Sequence, residues 1–209
     1  MLDISLEQRA FAIRAFQPGD EAGWVRCRVL AFLDTAYFDD VHPHKERYEG
    51  RAIELVAEAD GQVVGLIDVE CEDEPGTICS APAKTAHAGP AGMIWHLGVH
   101  PDYRRRGIGR ELLAQAARRA RALQVQRFEA WTRDDSFVND WYRAHGFVHV
   151  QHYWHVFASS REELATLKPQ VAGLRPVAAF AHYLGDDEDL LKRFERVHRC
   201  NRYDLILEP

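Results

Sequence analysis

The most constraining feature of the sequence is a short apolar run that leads into a glycine-containing turn and then into an amphipathic helix. Residues 93–99 (MIWHLGV) have the length and apolar character of a buried strand. The turn that follows contains Gly107 and Gly109, and apolar residues then recur at helical spacing from Ile108 to Leu123. A strand that passes through a tight turn into a helix predicts an α/β protein with a ligand crevice near the carboxyl ends of its strands.

Strand and helix patterns alternate on both sides of this unit. Asp60-Gly61 is a hairpin signal between two β-rich runs, and Asp20 and Asp135 stand where helices are expected to begin. The predicted strands cover about residues 11–16, 52–58, 62–72, 127–132 and 147–157, and the other predicted helices about 20–33 and 137–145. This order implies a mixed sheet with parallel central strands and with helices on its faces.

The residues after 158 have a different pattern. Ser160 followed by Glu163 is typical of a helix start, and residues 186–199 place Leu190, Phe194 and Val197 on one helical face. We therefore predict a C-terminal helical appendage. The pattern leaves open whether it packs on its own chain or on a second copy in a homodimer.

Length and charge exclude several classes of protein. A chain of 209 residues suits one α/β unit with an appendage, and its net charge of −6 opposes binding to nucleic acid. Eight arginines do cluster between residues 104 and 127, but aromatic residues are not interleaved with them as base stacking would require. We predict no nucleic-acid partner and no membrane partner, because no long apolar segment is present.

The N-terminus and the cysteines bear on location. Residues 1–10 (MLDISLEQRA) lack the basic and apolar layout of an export signal, so we expect a cytoplasmic protein. The four cysteines are widely spaced without a CxxC pair, which favours buried thiols. The histidines at 149, 152 and 155 would alternate between the two faces of a strand, so we assign no metal.

The turn at residues 100–110 (HPDYRRRGIGR) carries the clearest chemical signal. Glycines let the backbone approach a ligand, and a helix N-terminus with nearby arginines attracts phosphate groups. A glycine pair alone also fits an ordinary tight turn with solvated arginines. Together with the strand and the helix around it, the turn predicts a diphosphate site.

The sequence here resembles the GNAT superfamily of acetyl-CoA-dependent N-acetyltransferases. The segment RRRGIG at residues 104–109 fits the family's cofactor signature, and VHP at 99–101 fits the strand end before it. A helix with a tyrosine that ends in Gly-Phe, WYRAHGF at 141–147, matches a second element. The resemblance implies a mixed, mostly antiparallel GNAT sheet, with residues 10–158 as the acetyltransferase domain and residues 159–209 as a C-terminal extension.

The resemblance also implies roles for particular residues. Acetyl-CoA would be the co-substrate, with its pantetheine arm on the backbone of Leu97 and Val99, and Tyr142 would protonate the departing thiolate. Asp135 stands where many members have Asn, and we leave it out of the cofactor site. The implied diphosphate-binding residues form one run: Arg104, Arg105, Arg106, Gly107, Ile108, Gly109 and Arg110.

The general base is less clearly indicated, because Trp95 stands where the family often has Glu or His. A protonated amine must lose a proton before it attacks, so a base or a water chain is needed. His96 is the candidate base, although strand alternation turns it to the opposite face unless a bulge reorients it.

The acceptor amine has candidate residues in two places. Glu70 and Glu72 share one face of the preceding strand with Asp68 and could recruit a cationic amine, or they could form a solvated sheet face. Asp34, Tyr37 and Phe38 are predicted walls of the acceptor site because this region borders the amine in the family. The acceptor itself is a small molecule or a protein amine. A non-catalytic acyl-CoA-binding scaffold is the alternative function.

Overall fold

A computed structural model of the chain describes residues 11–82, 89–167 and 171–208. The ten N-terminal residues considered above for an export signal lie outside these ranges. The strands are β1 (Ala12–Ala15), β2 (Arg51–Ala59), β3 (Gln62–Cys71), β4 (Ala91–Val99), β5 (Arg127–Thr132), β6 (Val148–Ala158), β7 (Ala179–Tyr183) and β8 (Arg196–Ile206). The helices are α1 (Glu21–Leu33), α2 (Ile108–Ala122), α3 (Ser136–Ala144), α4 (Arg161–Leu164) and α5 (Glu188–Leu191).

The described strands form one eight-stranded sheet in the order β1-β2-β3-β4-β5-β8-β6-β7. Neighbouring strands are antiparallel except β4 and β5, which run parallel. This confirms the predicted mixed, mostly antiparallel sheet with a parallel pair near its centre.

The parallel pair separates along its length. Its ladder runs from Ala91 opposite Arg127 to Ile94 opposite Ala130. In the described structure β4 continues to Val99 without a partner on its β5 side. The two strands therefore open into a wedge, and backbone groups along one edge of β4 are left for a ligand.

Helices cover both faces of the sheet. Leu112 of α2 packs in the same cluster as Leu55 and Ile67, whereas Trp24 of α1 packs with Val56 and Leu66. Adjacent strand residues thus contact opposite helices, as the two-residue period of a strand requires. A Cβ at Gly65 would come within 2.7 Å of the Ile108 side chain, so α2 lies close against the sheet at the point where it begins.

The C-terminal region differs from the helical appendage predicted from the sequence. Of residues 186–199 only the short helix α5 is helical, and β8 begins at Arg196 and lies between β5 and β6. Asn201, Arg202 and Asp204 are buried in this central strand, and Arg202 Nε donates a 3.0 Å hydrogen bond to Asp204 Oδ1. Because these buried positions hold polar residues, the apolar pattern that normally indicates a central strand is missing from the sequence. Residues 10–158 as a separate domain remain a prediction, since strands from both sides of that boundary share one sheet.

Candidate active site

The wedge between β4 and β5 opens into a cavity of about 1350 Å³. Its walls come from the outer half of β4, the turn after it, the first turn of α2, helix α3 and the segment between α1 and β2. The cavity contacts Leu97, Val99 and all seven residues of the run 104–110. Sequence motifs that lie up to about forty residues apart are thus brought together around one space.

The turn before α2 has a backbone that only certain residues adopt easily. Arg105 has φ of 63° and Gly107, which precedes the first residue of α2, has φ of 82°. Left-handed conformations cost least at glycine, so Gly107 lets the chain reverse into the helix without strain. The first amides of α2 have no partner within the helix and point toward its N-terminal end.

The arginines of this turn have two different environments. Arg104 fixes the turn to α1, because its Nη2 donates to the Ala31 carbonyl at 2.9 Å and its Nη1 lies 3.4 Å from Asp34. Arg105, Arg106 and Arg110 are exposed at the same end of the cavity. This end therefore combines fixed positive charge with a helix N-terminus, a favourable site for phosphate groups.

Tyr142 is buried on α3 and contacts the cavity. Its ring stacks on Tyr203 of β8 with a centroid separation of 5.5 Å and meets Phe147 edge-on at 4.9 Å. In the described residues its hydroxyl has no hydrogen-bond partner. Burial, and then the nearby Tyr203, raise the pKa of Tyr142 above its ordinary value, so the phenol keeps its proton at neutral pH.

A β-bulge at Trp95 decides where His96 points. Asp68 pairs with His96 and Val69 pairs with Ile94, so Trp95 is the extra residue of β4. The bulge leaves Trp95 49% exposed and turns His96 into a buried position that contacts the cavity. His96 thus reaches the cavity by the route that the sequence required.

Both ring nitrogens of His96 are engaged. Arg28 Nε donates to His96 Nδ1 at 3.3 Å, and His96 Nε2 lies 2.8 Å from Glu46 Oε2. Because a guanidinium only donates hydrogen bonds, Nδ1 is the acceptor and the Nε2 proton faces Glu46. A base role for His96 therefore requires the Arg28 hydrogen bond to open.

The His96 contacts belong to a charged network that the sequence analysis missed. His42 lies 2.9 Å from Glu46 through Nδ1 and 2.9 Å from Asp40 through Nε2, and Arg28 pairs with Asp40 at 2.9 Å. Burial would raise the pKa of Glu46, but its polar contacts, chiefly the hydrogen bond from His96, outweigh burial and lower that pKa to about 2. His42 and Glu46 lie in the irregular segment between α1 and β2, so no local pattern indicates this network.

The three acids predicted to share one face of β3 have different surroundings. Asp68 is buried 3.0 Å from Lys45 Nζ, and burial raises its pKa to about 6 despite that lysine. Glu70 contacts the cavity, and its Oε2 accepts a 2.8 Å hydrogen bond from Trp95 Nε1. Glu72 does not contact the cavity. Its carboxylate accepts from four backbone amides at 2.7–3.0 Å, those of Gly76, Ile78, Cys79 and Ala91.

The predicted acceptor walls are also divided by the structure. Tyr37 contacts the cavity, with the Arg133 guanidinium 4.0 Å from its ring centroid. Asp34 and Phe38 do not contact it, and both are exposed. Glu72, Asp34 and Phe38 therefore do not line this cavity, and their assignment to the acceptor site stays a prediction. Asp34 and Phe38 follow the end of α1, and Glu72 follows the end of β3. No local sequence pattern shows which cavity residues in such positions line.

The described ranges contain no group of three or more His, Cys, Asp or Glu side chains arranged to hold a metal ion. None of the helices described is long and apolar enough to cross a membrane. All four cysteines are free and buried.

Comparison with known proteins agrees with this geometry. Residues 51–149 match the family described as acetyltransferase (GNAT) domain. A search of curated proteins finds no match. NAA60 of Arabidopsis thaliana, solved with a bisubstrate analogue, is similar in structure with a TM-score of 0.59 and 13% identity over 94% of this chain and 97% of that one.

Two further solved structures share the fold. The ribosomal-protein-S18-alanine N-acetyltransferase of Escherichia coli gives a TM-score of 0.56 and 12% identity, with 95% of each chain covered. A GNAT family acetyltransferase of Elizabethkingia anophelis with acetyl-CoA bound gives 0.52 and 12%, with 96% of this chain and 100% of that one covered. Residues 51–149 therefore match a GNAT acetyltransferase domain, and the chain shares its fold with these solved acetyltransferases.

Proposed function

We propose that this protein is an N-acetyltransferase that transfers the acetyl group of acetyl-CoA to a primary amine by direct attack in a ternary complex. The observation that carries the proposal is the cavity in the β4–β5 wedge, which joins the turn at residues 104–110 to Tyr142. One continuous space thus offers a phosphate site and a protonated acid.

The cofactor would occupy the wedge as an added strand. Its pantetheine amides would pair with the open edge of β4 at Leu97 and Val99, and its diphosphate would bind the amides of residues 104–110. Arg105, Arg106 and Arg110 would add positive charge near the phosphates. The solved neighbour from Elizabethkingia anophelis, which holds acetyl-CoA in the same fold, supports this choice of co-substrate.

The transfer itself forms a C–N bond and breaks a C–S bond. The neutral amine nitrogen attacks the thioester carbonyl carbon, and a strand amide near Val99 would stabilise the negative oxygen of the tetrahedral intermediate. As the C–S bond breaks, the thiolate takes the proton of the Tyr142 hydroxyl, and the proton that the acetylated nitrogen loses would restore the phenol. The raised pKa of Tyr142 supports this role, because the proton is still present at neutral pH.

The proton that the acceptor ammonium must lose before attack has two possible routes out of the cavity. One is His96 after Arg28 releases Nδ1, and the other is water within the cavity. The pH dependence of kcat/KM in His96→Gln separates them, because only the first route makes the wild-type acid limb depend on this ring. An acid limb that is unchanged in the variant assigns the proton to water.

The acceptor is a small amine or a protein amine. The name of the Escherichia coli neighbour gives a ribosomal-protein alanine as its target, which supports including peptides among the amines tested. A cytoplasmic location is also part of the proposal, and the four unpaired, buried cysteines support it. Homodimerisation stays a proposal that sedimentation of the full chain would test.

Thiol release from acetyl-CoA tests the proposal. The expected result is amine-dependent release with at least one member of a panel of mono-, di- and peptide amines, above the hydrolysis seen without amine. The alternative, a non-catalytic acyl-CoA-binding scaffold, predicts that acetyl-CoA binds in calorimetry while no amine accelerates thiol release.

A further inference from the structure

The cavity has opposite charges at its two ends. At the end near α2 the cavity is lined by three exposed arginines, Arg105, Arg106 and Arg110. The other end is lined by four carboxylates, those of Asp40, Glu46, Glu49 and Glu70. A cationic ligand is therefore favoured at the end away from the phosphate site.

Two of these four carboxylates already have cationic or histidine partners. Asp40 pairs with Arg28 and His42, and Glu46 lies between His42 and His96. Glu49 is exposed, and the exposed Arg47, two residues earlier in the chain, also contacts the cavity. The acid left to consider is Glu70.

Glu70 is held by a neutral donor alone. Its Oε2 accepts the Trp95 indole hydrogen bond at 2.8 Å, and no basic side chain in the described parts of the chain pairs with its carboxylate. The hydrogen bond fixes the carboxylate and leaves Oε1 available. The indole donates through its edge, and none of the described aromatic rings or basic side chains stacks on its face.

The bulge explains why this pair projects into the cavity. As the extra residue of β4, Trp95 is not paired with β3 and is 49% exposed. A large aromatic surface with that exposure, next to a fixed carboxylate, is a favourable environment for an ammonium or guanidinium group.

We propose that Glu70 and Trp95 bind a second positively charged group of the acceptor, so that the preferred substrate is an amine with a second cationic group. This inference rests on the proposed acetyl transfer. Glu70 lies two residues beyond Asp68, which is the ladder partner of His96. The carboxylate is therefore about 7 Å along the strand from the His96 row, and a second nitrogen several bonds from the reacting one can reach it.

The test compares matched amines and matched variants. Diaminobutane and butylamine differ in one terminal ammonium, and alanyl-lysine amide and alanyl-norleucine amide differ in the same way. For the wild type we expect kcat/KM to be at least about tenfold higher for the dication of a pair. The pair that shows the preference distinguishes a small diamine from a basic peptide.

Glu70→Gln isolates the charge, since a glutamine carbonyl can still accept the indole hydrogen bond. We expect the advantage of the dication to disappear in this variant. Glu74→Gln removes the same charge from an exposed residue outside the cavity and should keep the advantage. Thermal unfolding of both variants shows whether the fold is intact.

A binding measurement keeps this inference separate from the proposed function. Calorimetry of the CoA complex with diaminobutane and with alanyl-lysine amide should give a dissociation constant at least about tenfold weaker in Glu70→Gln than in wild type for the preferred dication. Equal constants in the two proteins, or no preference for either dication over its partner, would overturn the inference. Absence of thiol release with every amine would instead overturn the acetyl transfer, and the calorimetry would still decide on the cation site.

Discussion

Removal of the Tyr142 hydroxyl separates a catalytic role from a structural one. Tyr142→Phe keeps the ring that stacks on Tyr203 and meets Phe147. The hydroxyl has no hydrogen-bond partner among the described residues, so its loss should change the free energy of unfolding by less than about 1 kcal/mol. If the phenol protonates the thiolate, kcat should fall about a hundredfold, at the lower end of the range for general-acid catalysis.

Tyr203→Phe is the matched control. It removes a hydroxyl from the neighbouring ring, but that hydroxyl donates a 2.8 Å hydrogen bond to Asn139 Oδ1 in a buried position. We expect a loss of about 1 kcal/mol in stability and a fall in Tm of about 2–4 °C, with kcat little changed. The two variants should thus show opposite patterns.

Three measurements decide the outcome. Thiol release at saturating amine gives kcat, calorimetry gives the affinity for acetyl-CoA, and urea unfolding gives the stability. Acetyl-CoA affinity in Tyr142→Phe should stay within about twofold of wild type, because the hydroxyl stabilises the sulfur only as the C–S bond breaks and negative charge develops there. A kcat within twofold of wild type would remove Tyr142 as the acid, and a large loss of stability would show that the hydroxyl has a structural role.

Three further changes test the turn, the loop and the sheet. Gly109→Glu should abolish acetyl-CoA binding in calorimetry, because its carboxylate would repel the diphosphate. The fold should survive, since a Cβ at this position meets Trp141 at an ordinary distance of 3.5 Å. Retained affinity for acetyl-CoA would contradict the phosphate site. Glu72→Gln should cost about 2–3 kcal/mol in urea unfolding at neutral pH. Burial would raise the pKa of Glu72, but its four backbone amides hold it below 4.5, so this stabilisation is present above that pH and is lost as the pH falls. The cost of the substitution should therefore shrink in acid, and a cost independent of pH would refute the carboxylate's role. A chain truncated after Ala158 should fail to fold by circular dichroism, because it lacks the strand between β5 and β6; a cooperative unfolding transition in that fragment would contradict this.

The parts of the site that the sequence predicted depend on local patterns. The turn at residues 104–110 is identified by the spacing of Gly107 and Gly109 between a strand and a helix, and Tyr142 by the resemblance of residues 141–147 to a GNAT family element. These features need no knowledge of distant residues. The roles of Leu97 and Val99 come from the same resemblance.

The parts that it missed depend on contacts between distant segments. Arg28 reaches His96 across 68 residues, and Glu46 reaches it across 50. No spacing or repeat in the sequence predicts either contact. The orientation of His96 depends on a one-residue bulge, and Glu72 could be separated from Glu70 only once its four amide partners were known.

The position of β8 has a consequence for folding of the chain during its synthesis. Residues 196–206 are the last strand in chain order, yet they complete the middle of the sheet and bring Tyr203 against Tyr142. A ribosome must therefore release this segment before β5 and β6 can acquire their shared neighbour. Until then the nascent chain has two open strand edges, which is the stage at which a chaperone would protect it from aggregation.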